Sequence, residues 1–262
     1  MPNTVQALIL GLIQGLTEFL PVSSSGHLVL AQRLLGLREP VLTFDIALHL
    51  GTLVAVIIFF RRDIAGIVQG ILGRGPERTS YTWLLVLLIL GSVPTAAVGL
   101  LFKDTFEAMF ASVLAVGVSL LITGALLLAA GLAGRPRRDL EKMRSWHALL
   151  IGLAQGLAIT PGISRSGSTI SVALLLGLER ELAVRFSFLL SIPAILGAVA
   201  LQVLDLPGGT GLAWTPLVLG GLVAGVSGWL ALKLLLGLVR QGRIHWFAYY
   251  CLALGILALV LA

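Results

Sequence analysis

The sequence predicts an all-α polytopic membrane protein, and three observations support that prediction. Hydrophobic residues make up 58% of the 262 residues and charged residues only 11%, where a soluble domain usually carries about 25%. Several apolar runs reach the roughly 20 residues that a helix needs to cross a bilayer. Two further apolar regions are each broken by a cluster of proline, glycine and serine residues, which indicates half-helices.

Six apolar segments are predicted to cross the membrane as full helices. In chain order they are residues 43–60, 83–102, 112–132, 186–204, 216–239 and 246–262. The two broken regions are 5–36 and 147–178, and neither half of either region is comfortably long enough to cross alone. The first apolar segment lacks the basic stretch that precedes a cleavable signal, so we expect the mature protein to keep it.

Basic residues predict the orientation of these segments. Fourteen of the 18 Lys and Arg residues lie in or beside four gaps, at 61–78, 135–144, 180–185 and 233–243. Placing those gaps in the cytoplasm makes the six helices alternate consistently, and it explains the net charge of +6 without a nucleic-acid partner. The first broken region must then enter and leave from the outside and the second from the inside. They are therefore predicted to form two opposed re-entrant hairpins.

An internal repeat relates the two broken regions. Residues 11–27 read GLIQGLTEFLPVSSSGH, residues 152–168 read GLAQGLAITPGISRSGS, and 8 of 17 positions are identical at an offset of 141. Copies that enter from opposite faces are typical of an inverted-topology fold, here a single transmembrane domain over 1–262 with repeats at roughly 1–132 and 147–262. Such folds place a site where the broken helices meet, and a half-helix N-terminus favours an anion.

The two copies differ where chemistry could occur. The first supplies Glu18, Ser24 and His27, whereas the second supplies Arg165 at the position that aligns with Ser24. The planar fork of Arg165 suits phosphate oxygens, and the alternative is a structural ion pair with Glu18. Glu18 follows Gln14 by one helical turn, and a carboxylate beside an amide oxygen suits Mg²⁺ or Ca²⁺. Glu18 could equally be a general base, or a protonated carboxyl bonded within the core.

Hydroxyl groups surround both breaks. Ser24 can act as a nucleophile if His27 is its base; alternatively, Glu18 or His27 activates a water molecule while the serines bind the substrate. Five further hydroxyl groups can donate to phosphate, or they can cap and pack the half-helices. They belong to Ser23, Ser25, Ser164, Ser166 and Thr169.

Several other residues are predicted to serve packing. Asp45 and His49 lie one helical turn apart within 43–60, where they either support the site or satisfy each other. Cys251, the only cysteine, is expected to be a small packing residue. Four glycine pairs with GxxxG spacing predict close helix contacts. They are Gly11/Gly15, Gly66/Gly70, Gly152/Gly156 and Gly221/Gly225.

At these residues the sequence resembles the undecaprenyl-diphosphate phosphatase family, also known as the bacitracin-resistance protein BacA family. Its first signature appears as Gln14, Glu18, Pro21-Val22-Ser23-Ser24 and Gly26-His27. Its second appears as Pro161-Gly162-Ile163-Ser164-Arg165-Ser166-Gly167-Ser168-Thr169. The resemblance covers essentially the whole chain. Gln14 stands where other members have Glu, and an amide cannot act as a base or supply charge.

The resemblance implies a multi-pass enzyme of the bacterial inner membrane that converts undecaprenyl diphosphate to undecaprenyl phosphate, the lipid carrier of cell-wall synthesis. It also implies a divalent cation and a site that opens to the periplasm, and it places Glu18, Ser24, His27 and Arg165 at functional positions. The alternative is a polyprenyl-phosphate transporter or flippase with the same anion site, because inverted repeats with broken helices are also a transporter design. The sequence leaves a homodimer open.

Overall fold

Twelve helices make up the part of the chain that the computed structural model describes, namely residues 2–37, 42–109, 112–134, 138–204 and 214–260. No β-strand occurs within those ranges, so the all-α prediction is confirmed. Residues 135–137 of the second basic gap lie outside them. In chain order the helices are α1 (Thr4–Phe19), α2 (Ser24–Leu34), α3 (Leu42–Phe59), α4 (Arg61–Ile71), α5 (Arg78–Leu101), α6 (Lys103–Met109), α7 (Val113–Gly131), α8 (Ser145–Leu157), α9 (Arg165–Leu175), α10 (Arg180–Leu204), α11 (Trp214–Arg240) and α12 (Trp246–Val260).

The long apolar helices identify a membrane protein. By length and composition, α5, α7, α10 and α11 can each cross a membrane. Helices α3 and α4 pass the same test only as a pair, with a bend of 72° between them, and α1 and α12 are shorter apolar helices. A helix lies at each of the six predicted positions. Among the described residues, however, four helices are of spanning length, or five if the bent pair counts as one span.

Helix α4 lies where the sequence analysis expected only a basic gap. It packs against α5 so closely that a Cβ on Gly66 would lie 2.4 Å from Cζ of Tyr81. An ion pair between Asp63 and Arg185 ties it to α10. Since α4 follows α3 with only one intervening residue, no turn sequence separates the two helices. The predicted close contact at the 66/70 glycine pair is confirmed.

Both broken regions contain a helix break, as predicted. Helix α1 ends at Phe19 and α2 begins at Ser24, whereas α8 ends at Leu157 and α9 begins at Arg165. At 1.5 Å rise per residue these four half-helices are roughly 16–24 Å long, which is shorter than a hydrocarbon core of ~30 Å. The chain therefore places four helix ends and two irregular turns in its interior.

Backbone contacts between glycines hold the half-helices in place. Helix α1 packs on α11, and α8, its counterpart in the repeat, packs on α5. A Cβ on Gly11 would lie 2.4 Å from the carbonyl oxygen of Gly220. A Cβ on Gly152, the aligned glycine, would lie 1.9 Å from the carbonyl oxygen of Gly91. No side chain fits at either position, so these two GxxxG predictions are also confirmed.

An aromatic core supports the first break from behind. Phe19 ends α1 fully buried and meets Phe188 of α10 edge to face, with ring centroids 5.5 Å apart. Phe60, between α3 and α4, stacks on the same Phe188 ring at 6.2 Å. Large buried side chains dominate core stability. The polar groups in the break are therefore held by a packed apolar wall.

Candidate active site

The first break is a strained turn without a side-chain cap. Ser23 has φ 69°, and it is the one non-glycine residue with a positive φ among the described residues. Its side chain makes no capping bond to the start of α2, and its hydroxyl lies 3.3 Å from that of Ser25. Such left-handed positions are uncommon for residues with a Cβ and concentrate at functional sites. The N–H groups at the start of α2 are left without a capping side chain.

The second break is a capped turn fixed to α7. Gly162 has φ 91°, and a Cβ on it would lie 2.5 Å from the carbonyl oxygen of Val116. The hydroxyl of Thr123 accepts from the N–H of Ser164 at 3.1 Å. The hydroxyl of Ser164 in turn accepts from the N–H of Gly167 at 3.1 Å, which is a standard N-cap. Arg165 is thus the first residue of a well-anchored helix.

The two breaks touch each other. A Cβ on Gly167, in the first turn of α9, would lie 3.2 Å from Cβ of Pro21. The hydroxyl of Ser166 lies 3.5 Å from the carbonyl oxygen of Leu20. The thiol of Cys251 on α12 donates to the carbonyl oxygen of Pro21 at 3.3 Å and is fully buried, as expected of a packing residue. The site is therefore built from α1, α2, α9 and α12 together.

Glu18 is the centre of the polar cluster. Its Oε1 forms an ion pair with Nη2 of Arg165. Its Oε2 accepts from Nε2 of Gln14 at 3.1 Å and from the hydroxyl of Ser24 at 2.7 Å. Three of the other predicted site residues, Gln14, Ser24 and Arg165, thus converge on the Glu18 carboxylate, and the four residues come from three separate helix ends. The ion pair considered from sequence is present, and so is the proximity of Gln14 to Glu18.

The imidazole of His27 makes no hydrogen bond to Ser24. Its Nδ1 lies 2.7 Å from the carbonyl oxygen of Ser23, and its Nε2 lies 2.6 Å from the hydroxyl of Tyr250. The Ser24–His27 pair expected from their spacing is absent from this geometry. The group beside the Ser24 hydroxyl is the Glu18 carboxylate, which accepts its proton in a hydrogen bond.

Exposure divides the predicted hydroxyl groups into two sets. Ser24 and Ser25, like His27 and Arg165, are partly exposed, so a substrate can reach them. The remaining four predicted groups are buried, and their hydroxyls bond to neighbouring protein atoms. They are Ser23, Ser164, Ser166 and Thr169. In this geometry those four position the two turns rather than face an open site.

Two buried atoms beside Glu18 lack a hydrogen-bond partner within the described part of the chain. They are Nη1 of Arg165, a donor, and Oε1 of Gln14, an acceptor. An unpaired buried polar group is costly and calls for an explanation such as a bound ion or ligand. A free guanidinium nitrogen suits an anion, while a free amide oxygen suits a cation.

The oxygen donors near Glu18 fit a cation that keeps most of its ligands outside the protein. No group of three or more His, Cys, Asp or Glu side chains that could hold a metal occurs among the described residues. Gln14 and Glu18 supply one amide oxygen and one carboxylate. Mg²⁺ is commonly held by one or two carboxylates together with substrate phosphates and water, whereas Ca²⁺ takes six to eight oxygens.

The Asp45–His49 pair considered from sequence bonds to backbone and to Gln32, whereas Tyr250 bonds to the site without any sequence signal. Nδ1 of His49 bonds to the backbone carbonyl of Asp45 at 2.8 Å, and the Asp45 carboxylate accepts from Gln32 at 2.8 Å. Tyr250 lies in the last apolar segment, outside the two aligned segments 11–27 and 152–168, and no sequence signal marks it as a site residue.

Nearly the whole chain matches known proteins. A family model described as bacitracin resistance protein BacA matches residues 7–257. The chain is 50% identical to the undecaprenyl-diphosphatase of Carboxydothermus hydrogenoformans, over 99% of this chain and 97% of that one. It is 45% identical to that of Halothermothrix orenii, over 98% and 97%. It is 42% identical to that of Methanosphaera stadtmanae, over 100% and 99%.

The matched region contains every residue of the Glu18 cluster as well as His27 and Tyr250. Both breaks lie inside it, together with all of α2, α5, α8, α9 and α11 and most of α1 and α12. Because the match covers the fold and the polar cluster together, this chain belongs to the BacA family of bacitracin resistance proteins.

Proposed function

We propose that this protein is an integral membrane phosphatase that hydrolyses undecaprenyl diphosphate to undecaprenyl phosphate and inorganic phosphate. The names of its relatives support this activity. The single observation that carries it is the ion pair between Arg165 and Glu18, in which Nη1 of Arg165 is left without a partner beside the Ser24 hydroxyl. The product is the lipid carrier of cell-wall synthesis, so the reaction recycles that carrier.

Arg165 and the start of α2 bind the diphosphate in this proposal. Nη1 of Arg165 donates to a terminal phosphate oxygen, while Nη2 keeps its bond to Glu18. The uncapped N–H groups of α2 and the Ser25 hydroxyl add donors on the other side. Electrostatic stabilisation of this kind is the main task of a protein in phosphoryl transfer.

Ser24 attacks the terminal phosphorus in the proposed reaction. Its proton passes to Oε2 of Glu18, a bond forms between Oγ and phosphorus, and the bridging P–O bond breaks to release undecaprenyl phosphate. A water molecule then cleaves the phosphoserine, giving one proton to Nε2 of His27 and releasing inorganic phosphate. The proton on Glu18 returns to Ser24. Attack by water in place of Ser24 is the alternative.

Glu18 and Gln14 would hold a divalent cation, Mg²⁺ or Ca²⁺, through one carboxylate oxygen and the unpartnered amide oxygen. When bound, the cation supplies charge neutralisation for the diphosphate. The chain's own groups still carry out binding and proton transfer. All of these groups lie on one chain, so the proposed reaction requires no homodimer.

The proposed setting is the bacterial inner membrane, with six spanning segments and two opposed re-entrant hairpins, α1–α2 and α8–α9. Helix α1 packs on α11, and α8 packs on α5 in the corresponding way. These two equivalent contacts support an inverted repeat over 1–132 and 147–262. In that topology the site opens to the periplasm, and the prenyl tail lies among the apolar helices. The transporter alternative has no support in the names of the relatives.

Phosphate release from undecaprenyl diphosphate by the purified protein in detergent tests this function. We expect release that a chelator stops and that added Mg²⁺ or Ca²⁺ restores. Ser24→Ala should lower the rate by at least about a hundredfold, whereas Ser25→Ala should lower it by less than about tenfold. Nearly full activity of Ser24→Ala would assign the attack to water. No release by folded parent protein with cation present would contradict the phosphatase.

A further inference from the structure

The imidazole of His27 is held on two sides. The carbonyl oxygen of Ser23 lies 2.7 Å from Nδ1, and the hydroxyl of Tyr250 lies 2.6 Å from Nε2. The rings of His27 and Tyr250 are nearly parallel, with an interplanar angle of 16° and centroids 5.7 Å apart. Two hydrogen bonds and one ring contact therefore fix both the position and the plane of the imidazole.

These two bonds select one tautomer of the neutral ring. A carbonyl oxygen can only accept a hydrogen bond, so Nδ1 of His27 carries the proton. The lone pair then lies on Nε2, and the Tyr250 hydroxyl donates to it. This is the tautomer that can accept a proton at Nε2, the atom which the proposed hydrolysis of phosphoserine uses.

Helix α12 fixes the position of Tyr250, but the side chain is exposed enough for its bond to His27 to break. The adjacent residue, Cys251, is fully buried and bonds to the carbonyl oxygen of Pro21, so α12 is fixed against the first break. Tyr250 itself is 48% exposed. Its phenol can therefore exchange for water or phosphate at Nε2 without disturbing the core.

We propose that Tyr250 is a positioning residue for the reaction: its hydroxyl holds His27 with the lone pair on Nε2 and keeps the ring away from Ser24 until the diphosphate enters. Tyr250 acts only through Nε2 of His27, and in this proposal it touches neither the diphosphate nor Ser24. This inference rests on the proposed phosphatase function, but the hydrogen bond that it invokes can be tested without any activity.

The first test compares Tyr250→Phe with Tyr249→Phe. Phenylalanine keeps the ring contact and removes only the hydroxyl, while Tyr249, on the same helix, meets His245 edge to face instead. We expect kcat to fall about tenfold in Tyr250→Phe, the effect of one ordinary hydrogen bond, with KM changed less than about twofold. Tyr249→Phe should behave like the parent. An unchanged kcat in Tyr250→Phe would overturn the proposal.

The second test measures how fast diethyl pyrocarbonate modifies His27, read by peptide mass spectrometry. The reagent needs a free nitrogen lone pair, so losing the Tyr250 hydroxyl should speed modification of His27 several-fold. Modification of His245 should stay constant as an internal control, and Tyr249→Phe should leave His27 unaffected. Equal rates in parent and Tyr250→Phe would overturn the proposal. Absence of phosphate release by the parent would instead contradict the phosphatase and leave this measurement interpretable.

Discussion

The turns at 20–23 and 158–164 join half-helices in the same way but differ in what their polar groups do. In the second copy Ser164 caps α9, and Gln155 on α8 donates to Thr95 and to the carbonyl oxygen of Leu190. In the first copy Ser23 leaves α2 uncapped at φ 69°, and Gln14 on α1 donates to Glu18. Gln14 and Gln155 each leave Oε1 without a partner among the described residues, but only Gln14 bonds to the carboxylate of the site.

The two copies therefore differ in role: the second mainly supports the fold, and the first contains most of the reactive groups. The second copy behaves as an ordinary buried turn that contributes one charged side chain, Arg165. The first copy contains the Glu18 carboxylate, the partly exposed Ser24 and His27, together with the strained Ser23. Strain of this kind persists where the surrounding structure fixes it, and it commonly accompanies function. Changes in the first copy should therefore alter activity, and changes in the second should mainly alter stability, with Arg165 as the exception.

The largest effect on activity is expected at Arg165. Arg165→Lys should lower kcat/KM by at least about a thousandfold, because one ammonium group cannot hold Glu18 and a phosphate oxygen in the fixed geometry of a guanidinium. Phosphate release at saturating cation is the measurement. Arg185→Lys is the matched control, since Arg185 pairs with Asp63 on α4, and it should stay within about twofold of the parent. Full activity of Arg165→Lys would contradict a mechanism in which Arg165 bonds to Glu18 and to a phosphate oxygen at the same time.

An intermediate effect is expected when the aligned glutamines are each changed to glutamate. Gln14→Glu adds a carboxylate beside Glu18 and should lower the Mg²⁺ concentration for half-maximal activity about tenfold. Gln155→Glu places a charge among Thr95 and backbone carbonyls and should reduce the free energy of unfolding by about 3 kcal/mol.

A cation titration of phosphate release and thermal unfolding in one detergent measure these two outcomes. The parent protein serves as reference for both variants. If Gln14→Glu lowered the unfolding temperature as much as Gln155→Glu while leaving the cation requirement unchanged, Gln14 would belong to the scaffold and the cation site would lie elsewhere.

The smallest effect is expected at the two aligned cap positions. Ser164→Ala removes the bond to the N–H of Gly167 and should reduce the free energy of unfolding by about 1 kcal/mol. Ser23→Ala removes no cap and should change it by less than about 0.5 kcal/mol. Unfolding in detergent compares them directly. Equal destabilisation would mean that Ser23 supports its turn after all.

Apolar length and helix-breaking residues predicted most of the fold. The six apolar segments and both breaks correspond to helices and turns in the described residues, since long apolar runs and internal prolines act locally. Helix α4 was missed because it continues from α3 across a single residue. The ion pair between Arg165 and Glu18, which the sequence offered as the structural alternative for Arg165, is present because both residues lie next to the breaks that meet.

The pairing of Ser24 was predicted wrongly for a local reason. Helical side chains lean toward the N-terminus of their helix, so Ser24 at the start of α2 points back to Glu18 and not forward to His27. His27 likewise reaches back to the carbonyl of Ser23. Its second partner, Tyr250, comes from 223 residues away, and no local pattern encodes such a contact.

Both carboxylate oxygens of Glu18 are already engaged by protein donors, and this has a thermodynamic consequence. A phosphate oxygen bound at Nη1 of Arg165 neutralises part of the guanidinium charge although Nη2 keeps its bond to Glu18, so the carboxylate is left more negative toward a metal ion. Binding of the diphosphate therefore raises the affinity for the metal ion, and thermodynamic linkage requires that the metal ion raise the affinity for the diphosphate equally. The apparent affinity for Mg²⁺ should rise with lipid concentration, and the affinity for the lipid should rise by the same factor with Mg²⁺.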